Sequence, residues 1–159
     1  MGFRIGHGFD AHTLTPNRPL VLGGIQVPFD RGLDGHSDGD VVIHASIDAL
    51  LGAAGLGDKG TYFPSSDLSF KGISSLRLLE SVESLLKQNG WQVTNLDATI
   101  VAQQPRLDRF IAQMRNNIAS TLRTDYSKIS LKATTTDQLG FTGREEGMAA
   151  YAVALIEMR

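Results

Sequence analysis

Asp10 and His12 stand two residues apart in Gly6-His7-Gly8-Phe9-Asp10-Ala11-His12, a stretch whose alternation suits a β-strand. At that spacing both side chains project from one face, so a carboxylate oxygen and an imidazole nitrogen share a surface. Together they supply half of a tetrahedral Zn²⁺ site. An isolated Asp-x-His is more often a surface or capping pair, and a lone buried histidine more often a hydrogen-bonded core residue than a ligand. His44 shifts that balance. It sits in Val42-Ile43-His44-Ala45-Ser46, an otherwise apolar or small helical surface that faces it inward. Asp40 and Asp48 lie four residues to either side, on the same helical face, where a carboxylate beside an imidazole fixes the tautomer of a metal-bound histidine. Three protein ligands would leave the fourth tetrahedral position to substrate, which distinguishes catalytic from structural zinc.

Two further stretches suit phosphate. Ser37 precedes Asp40 by three residues and Val41-Val42-Ile43 follows, the capping-box pattern of a helix start. Free backbone N–H groups at His36-Ser37-Asp38-Gly39 would then face phosphate oxygens. The carboxylates there oppose an anion, so a divalent cation must accompany it. Lys132-Ala133-Thr134-Thr135-Thr136-Asp137, followed by Gly140-Phe141-Thr142-Gly143-Arg144, offers hydroxyl donors, a metal-competent carboxylate, pliant backbone and a guanidinium, an inventory that suits a polyphosphate. The turn Ala102-Gln103-Gln104-Pro105-Arg106-Leu107 either merely connects a strand to a helix or reads a base edge with its backbone.

The elements that must position these groups follow from periodicity. A strand is expected over 3–13, interrupted by glycines that permit close approach of a backbone or a ligand. Leu20-Val21-Leu22 and Ile25-Gln26-Val27 read as a hairpin turning at Gly23-Gly24. Helices are expected from the Ser37–Asp40 region to Ala54, from 74 or 75 to 89, and from 107 to about 122. Strands are expected over 91–103, 129–135 and 148–156, with a long loop over 55–72 and a glycine-punctuated loop over 140–147. The implied class is α+β, one domain spanning 1–159, a mixed sheet with helices on one face. Ala150, Ala152 and Ala154 alternate with Tyr151, Val153 and Leu155, so the sheet's second face should also be covered, most simply by copies of the same chain.

Composition narrows the class. A length of 159 residues suffices for one continuous core, and 42% hydrophobic with 20% charged residues is ordinary globular composition. A net charge of -2 argues against nucleic acid or an anionic membrane as partner. The absence of cysteine excludes disulfides, thiolate-ligated zinc and thiol catalysis, and fits a reducing compartment. With no signal-peptide layout and no apolar run of spanning length, a soluble, cytoplasmic protein is expected.

Taken together, Arg4-Ile5-Gly6-His7-Gly8-Phe9-Asp10-Ala11-His12, His36-Ser37-Asp38-Gly39-Asp40, His44 with Asp48-Ala49-Leu50-Leu51-Gly52-Ala53, Gly57-Asp58, Phe63-Pro64, Phe70-Lys71-Gly72 and Lys132 through Arg144 closely resemble the 2-C-methyl-D-erythritol 2,4-cyclodiphosphate synthase family of the non-mevalonate isoprenoid pathway. The resemblance runs from the first strand to the last. It implies a homotrimer with sheets facing one another, active sites at subunit interfaces, one Zn²⁺ per subunit and a second ion, Mg²⁺ or Mn²⁺, on the substrate diphosphate.

Carried over by position, the zinc ligands would be Asp10, His12 and His44, and Asp137 the ligand to the second ion. Relatives usually have Glu there, and the shorter side chain leaves direct or water-mediated ligation open. His36 and Thr135 match transition-state stabilisers, and Ser37, Thr134 and Thr136 stand beside them. Asp58, Lys59 and Gly60 match ribose contacts. Phe63, Pro64, Ser65, Ser66 and Asp67 match a substrate loop, with Ser65-Ser66 replacing an Asp-Thr pair common in relatives. Ala102, Gln103, Gln104, Pro105, Arg106, Leu107 and Asp108 match a cytosine pocket. Phe141 and Arg144 match the region near a trimer axis, where relatives have a cavity for an isoprenoid diphosphate.

The implied reaction is attack by the 2-phosphate of 4-diphosphocytidyl-2-C-methyl-D-erythritol 2-phosphate on its own diphosphate, expelling CMP. The same residues leave open a zinc phosphoesterase or a non-catalytic nucleotide-binding trimer.

Overall fold

In the computed structural model, which describes residues 2–159, the chain runs β1 (Phe3–Pro16), β2 (Leu20–Leu22), β3 (Ile25–Val27), β4 (Arg31–Leu33), α1 (Val41–Ala54), α2 (Lys59–Tyr62), α3 (Ser75–Gln88), β5 (Trp91–Val101), α4 (Ile111–Thr121), β6 (Ile129–Thr134), α5 (Gly140–Gly143) and β7 (Gly147–Met158). Short 3-10 turns occupy Leu68–Phe70, Asp108–Phe110 and Tyr126–Lys128. Five strands form one mixed sheet in the order β4-β1-β7-β5-β6. β7 is antiparallel to both neighbours, and only β5 and β6 run parallel. β2 and β3 form the expected hairpin apart from that sheet, and Gly23 and Gly24 take the positive φ values of 56° and 74° that such a tight turn requires.

Period-two alternation decides which face of the sheet meets the helices. In β1 the glycine parity is the buried one: Gly6 and Gly8 lie beside Ala154 and Ala152 of β7, a floor of minimal side chains. Helix α1 sits on that floor so closely that a Cβ on Gly6 or Gly8 would overlap the carbonyl oxygens of Ala49 or Ala45. The strand glycines thus serve the approach of a helix backbone. Of the residues of α1, only Asp48 and Gly52 escape burial, as expected of a helix apolar nearly all round. Helix α3 adds Leu78, Leu79, Val82 and Leu86 to the same core, and α4 adds Met114 and Ile118. At about 1.5–3 kcal/mol for each large apolar side chain removed from water, this layer is the main source of stability.

The opposite face carries Ile5, Phe9, Tyr151 and Val153, exposed in the single chain. Both faces of the sheet are therefore apolar, as the alternation in β7 predicts, but helices cover one alone.

Several boundaries differ from expectation. The N-cap of α1 is Asp40, whose carboxylate accepts the N–H of Ile43 at 3.2 Å, and not Ser37. The other pull on Asp40 explains the choice, because its carboxylate also accepts the N–H groups of Gly23 and Gly24 at 3.0 and 2.7 Å. The end of α1 is as expected, with Gly55 left-handed at φ 70°. The 107–122 helix begins as a 3-10 turn and is α-helical only from Ile111. Strands β5 and β6 stop at Val101 and Thr134, short of Gln103 and Thr135. The loops over 55–72 and 140–147 contain α2 and α5.

Candidate metal centre

β1 presents Asp10 and His12 on the face that α1 covers, and the first turn of α1 presents His44. The three side chains meet there: Asp10 Oδ2 lies 2.8 Å from His12 Nε2 and 2.9 Å from His44 Nδ1, and the two imidazole nitrogens are 3.2 Å apart. His44 is buried and the other two are half-buried. The far side of the His12 ring faces the Asp34 carbonyl at 2.5 Å from Nδ1. A carbonyl only accepts, so Nδ1 carries a proton and Nε2 is the nitrogen left to ligate a metal. Burial pushes the Asp10 carboxyl up, but the adjacent imidazoles and the Lys59 ammonium outweigh it and hold the group well below the usual carboxylate range. Lys59 Nζ stands 3.9 Å from Asp10 Oδ2. Burial lowers the pKa of His44, favouring the neutral imidazole that a metal requires. An ionised carboxylate and two imidazole nitrogens, His12 Nε2 and His44 Nδ1, that meet at one point are the donor set of a divalent metal.

The comparisons with known proteins bear on the whole chain. Residues 3–157 match the YgbB family. The chain belongs to that family. A 2-C-methyl-D-erythritol 2,4-cyclodiphosphate synthase of Geobacter metallireducens is 56% identical over 156 residues, 98% of this chain and 99% of that protein. One from Synechococcus elongatus is 54% identical over 154 residues, 97% of this chain and 96% of that protein. Among solved structures, the CDP complex of IspF from Plasmodium falciparum shares the fold at a TM-score of 0.88 and 30% identity, over 99% of this chain and 97% of that one. The bifunctional IspDF of Campylobacter jejuni matches at 0.96 and 44% identity, over 99% of this chain and 43% of that longer one.

In this YgbB-family chain the carboxylates expected beside His44 are engaged elsewhere. Asp40 holds the Gly23-Gly24 turn, and Asp48 accepts the N–H of Lys59 at 2.7 Å, fixing the start of α2. The Nε2 of His44 instead meets two hydroxyls, Ser37 Oγ at 3.0 Å and Ser75 Oγ at 2.8 Å. Ser75 was not legible as a site residue, since nothing in the spacing links it to a histidine 31 positions away. Arg18 is a second such residue. Its guanidinium donates to the carbonyls of Gly35 and Ser37 at 2.9 and 2.7 Å and holds the turn in place. Because α1 begins at Val41 with Asp40 as its cap, His36-Ser37-Asp38-Gly39 is a turn ahead of the helix and not its open N-terminus.

That turn borders a cavity of about 420 Å³ with Arg18, Lys71 and Gly72. His36 Nε2 lies 3.0 Å from the Asp67 carbonyl, tying the turn to the 63–67 segment. Phe63 packs edge-on against Phe70 while Ser65 and Ser66 stay exposed. Asp58 caps α2 through the N–H and hydroxyl of Thr61. Ala102, Gln103, Pro105, Arg106, Leu107 and Asp108 line a second cavity of about 330 Å³ together with Thr134 and Thr135. Gln104 lies outside that lining and borders a third hollow with Arg144.

One chain does not bring all these groups together. In the sheet register Asp10 pairs with Ala150, Ala150 with Ile100 and Ile100 with Ala133. The metal cluster and the Thr134-Thr135 cavity therefore share an end of the sheet but lie three strand spacings apart, roughly 14 Å. Asp137 is not among the ligand atoms gathered at Asp10, and Thr135 Oγ1 is its neighbour at 3.2 Å. Phe141 and Arg144 lie on and just past α5, with Arg144 ion-paired to Glu146 at 2.7 Å.

Proposed function

We propose that this chain is a 2-C-methyl-D-erythritol 2,4-cyclodiphosphate synthase, a phosphorus-oxygen lyase of non-mevalonate isoprenoid synthesis. It would convert 4-diphosphocytidyl-2-C-methyl-D-erythritol 2-phosphate to the 2,4-cyclodiphosphate and CMP. The observation that carries the reading is the convergence of Asp10 Oδ2, His12 Nε2 and His44 Nδ1 in a chain whose relatives over nearly its full length carry that name.

The metal assigned to this triad is zinc. Tetrahedral bonds of about 2.0–2.1 Å place ligand atoms about 3.3 Å apart, and separations of 2.8, 2.9 and 3.2 Å are close to that. When bound, zinc and a second divalent ion, Mg²⁺ or Mn²⁺ at Asp137, supply Lewis acidity and cancel phosphate charge.

The protein's own groups do the rest. In the reaction an oxygen of the 2-phosphate forms a bond to the diphosphate phosphorus nearer the erythritol, and the bond from that phosphorus to CMP breaks with its electron pair leaving on CMP. No protein nucleophile and no water enter, so the work is positioning two anions and excluding solvent. Lys59 brings a positive charge beside Asp10 to the phosphate end. His36, Ser37 and Thr135, with Thr134 and Thr136, donate hydrogen bonds to developing negative charge. The cavity lined by residues between Ala102 and Asp108 takes the cytosine, and Asp58 and Gly60 take the ribose. Phe63 to Asp67, held to His36 through the Asp67 carbonyl, closes over the substrate.

The roughly 14 Å between metal cluster and base cavity supports a site shared between subunits. The open apolar sheet face supports association through it as a homotrimer of one-domain subunits spanning 1–159, with Phe141 and Arg144 near an axial cavity for an isoprenoid diphosphate. The reading places the enzyme in the cytoplasm; among the described residues no helix is long and apolar enough to cross a membrane.

The test is incubation of the named substrate with the purified chain, Zn²⁺ and Mg²⁺, followed by ³¹P NMR. A cyclic diphosphate with equimolar CMP is expected. Open-chain phosphates would point to a phosphoesterase, and unchanged substrate to a binding protein.

A further inference from the structure

We propose that Ser75 and Asp38 are positioning residues that hold His44 in the tautomer a metal on its Nδ1 requires, with the proton on Nε2. The inference rests on the reading of the triad as a metal centre and concerns groups outside it.

Ser75 Oγ lies 2.8 Å from His44 Nε2 and 2.5 Å from Asp38 Oδ1, and a serine hydroxyl has one hydrogen to give. A carboxylate oxygen can only accept, so the hydrogen lies toward Asp38. Such charge-assisted bonds are the short, strong ones. What Ser75 turns to His44 is therefore a lone pair, placed to accept from Nε2; Ser37 Oγ, 3.0 Å from the same nitrogen, is a second hydroxyl there. An imidazole protonated at Nε2 keeps its lone pair at Nδ1, the atom 2.9 Å from Asp10 and 3.2 Å from His12. Where Nδ1 ligates a metal, Nε2 must carry the proton, and because His44 is only 2% exposed that proton needs a protein acceptor, which the lone pair of Ser75 supplies.

Asp38 is itself anchored. Its second oxygen accepts the backbone N–H of Ser75 at 2.8 Å and its own N–H donates to the Ile73 carbonyl at 3.1 Å. One residue pair further out, the N–H of Gly72 reaches the His36 carbonyl at 2.8 Å. The turn ahead of α1 is thereby laced to the start of α3, and a hydroxyl carried by α3 sets the proton on a ring carried by α1. His12 shows the parallel arrangement, its Nδ1 proton held by a backbone carbonyl. Both rings turn their N–H groups outward, and in each case a group outside the triad decides it.

Ser75→Ala removes the hydroxyl but keeps the backbone N–H that Asp38 caps, so the helix start persists. Asp38→Asn removes the negative charge that draws the serine hydrogen and so weakens the lone pair that Ser75 presents to His44. Chelator-competition titration of zinc on the full chain is expected to show 10- to 100-fold weaker binding in both variants, with Ser75→Thr close to wild type.

Zinc binding by both variants within twofold of wild type would overturn the proposal. Equal weakening in Ser75→Thr and Ser75→Ala would also overturn it, by reducing Ser75 to a packing role. Absence of zinc binding in the wild type would sink the metal-centre reading itself.

Discussion

The backbone of Gly8 lies directly beneath the carbonyl of Ala45, with no room between strand and helix for even a methyl group. This contact sets the site. Asp10 follows Gly8 by two residues along β1 and His44 precedes Ala45 by one on α1, so the seat of the helix fixes the separation of two members of the proposed metal triad. Gly8→Ala must either lift α1 or bend β1. Overpacking of this kind costs at least about 2 kcal/mol, read as a shift in the urea midpoint, and zinc affinity should fall with it because the ligands separate. Gly52→Ala, on a part of α1 with no atom within 4 Å of the added carbon, is the control. It should gain roughly 0.5–1 kcal/mol from helix propensity. Equal stability of Gly8→Ala and the wild type would show that the floor is not tight.

His44→Ala leaves Asp10 and His12 as the remaining donors, and two ligands cannot hold a metal that needs three from the protein. Elemental analysis after dialysis should find one zinc per wild-type chain and essentially none in the variant, with the fold retained by circular dichroism. Unchanged stoichiometry would remove His44 from the site.

Much of this was legible beforehand, and the parts that were not share a cause. The hairpin at Gly23-Gly24, the glycine stop at Gly55 and the inward face of His44 each depend on local geometry, which residue type and spacing encode. Asp40 was misread because its partners, Gly23 and Gly24, lie 17 and 16 positions away, and only tertiary structure could show that its carboxylate serves three backbone N–H groups. Ser75 was missed for the same reason. Glycines in β1 signalled close approach correctly, but sequence could not say that a helix, and not a ligand, makes that approach.

Asp40 also carries a pH signature. Burial first, then the charge of Asp38, push its carboxyl up to about 7, against the pull of the N–H groups of Gly24, Ile43 and Gly23. A carboxyl that is more basic in the folded chain than its unfolded value near 4 favours folding fully below about pH 4, and that contribution is lost as pH rises to about 7. Asp40→Asn has no such titration. The unfolding free energy of the wild type minus that of Asp40→Asn should therefore fall from pH 4 to 7, by at most about 4 kcal/mol, and level off above. Urea melts of chelator-treated protein keep metal linkage out of the measurement. His44, whose pKa burial lowers, contributes a slope of opposite sign, but it is common to both proteins and cancels in the difference. A pH-independent difference would mean that the three N–H donors fully offset burial.

The open face of the sheet yields the remaining prediction. Phe9 and Tyr151, cross-strand partners with ring centroids 5.0 Å apart, stand beside Ile5 and Val153, and Ile5 is 72% exposed in the isolated chain. The same face carries the Lys132–Asp97 ion pair at 2.6 Å, polar at the β6 edge and apolar toward β1. An apolar centre with a polar margin is the composition of an interface that forms and stays formed. Ile5→Glu with Tyr151→Glu places two charges in the apolar part and touches neither the helix-side core nor the metal cluster. Light scattering should give a trimer mass for the wild type and a monomer mass for the double variant at an unchanged far-ultraviolet spectrum. Because the Thr134-Thr135 cavity and the Asp10-His12-His44 triad of one chain lie on strands three spacings apart, the monomer is expected to still bind zinc yet form no cyclic diphosphate. A monomeric variant with full turnover would show that one chain completes the site alone. A double variant that remains trimeric would place the interface elsewhere.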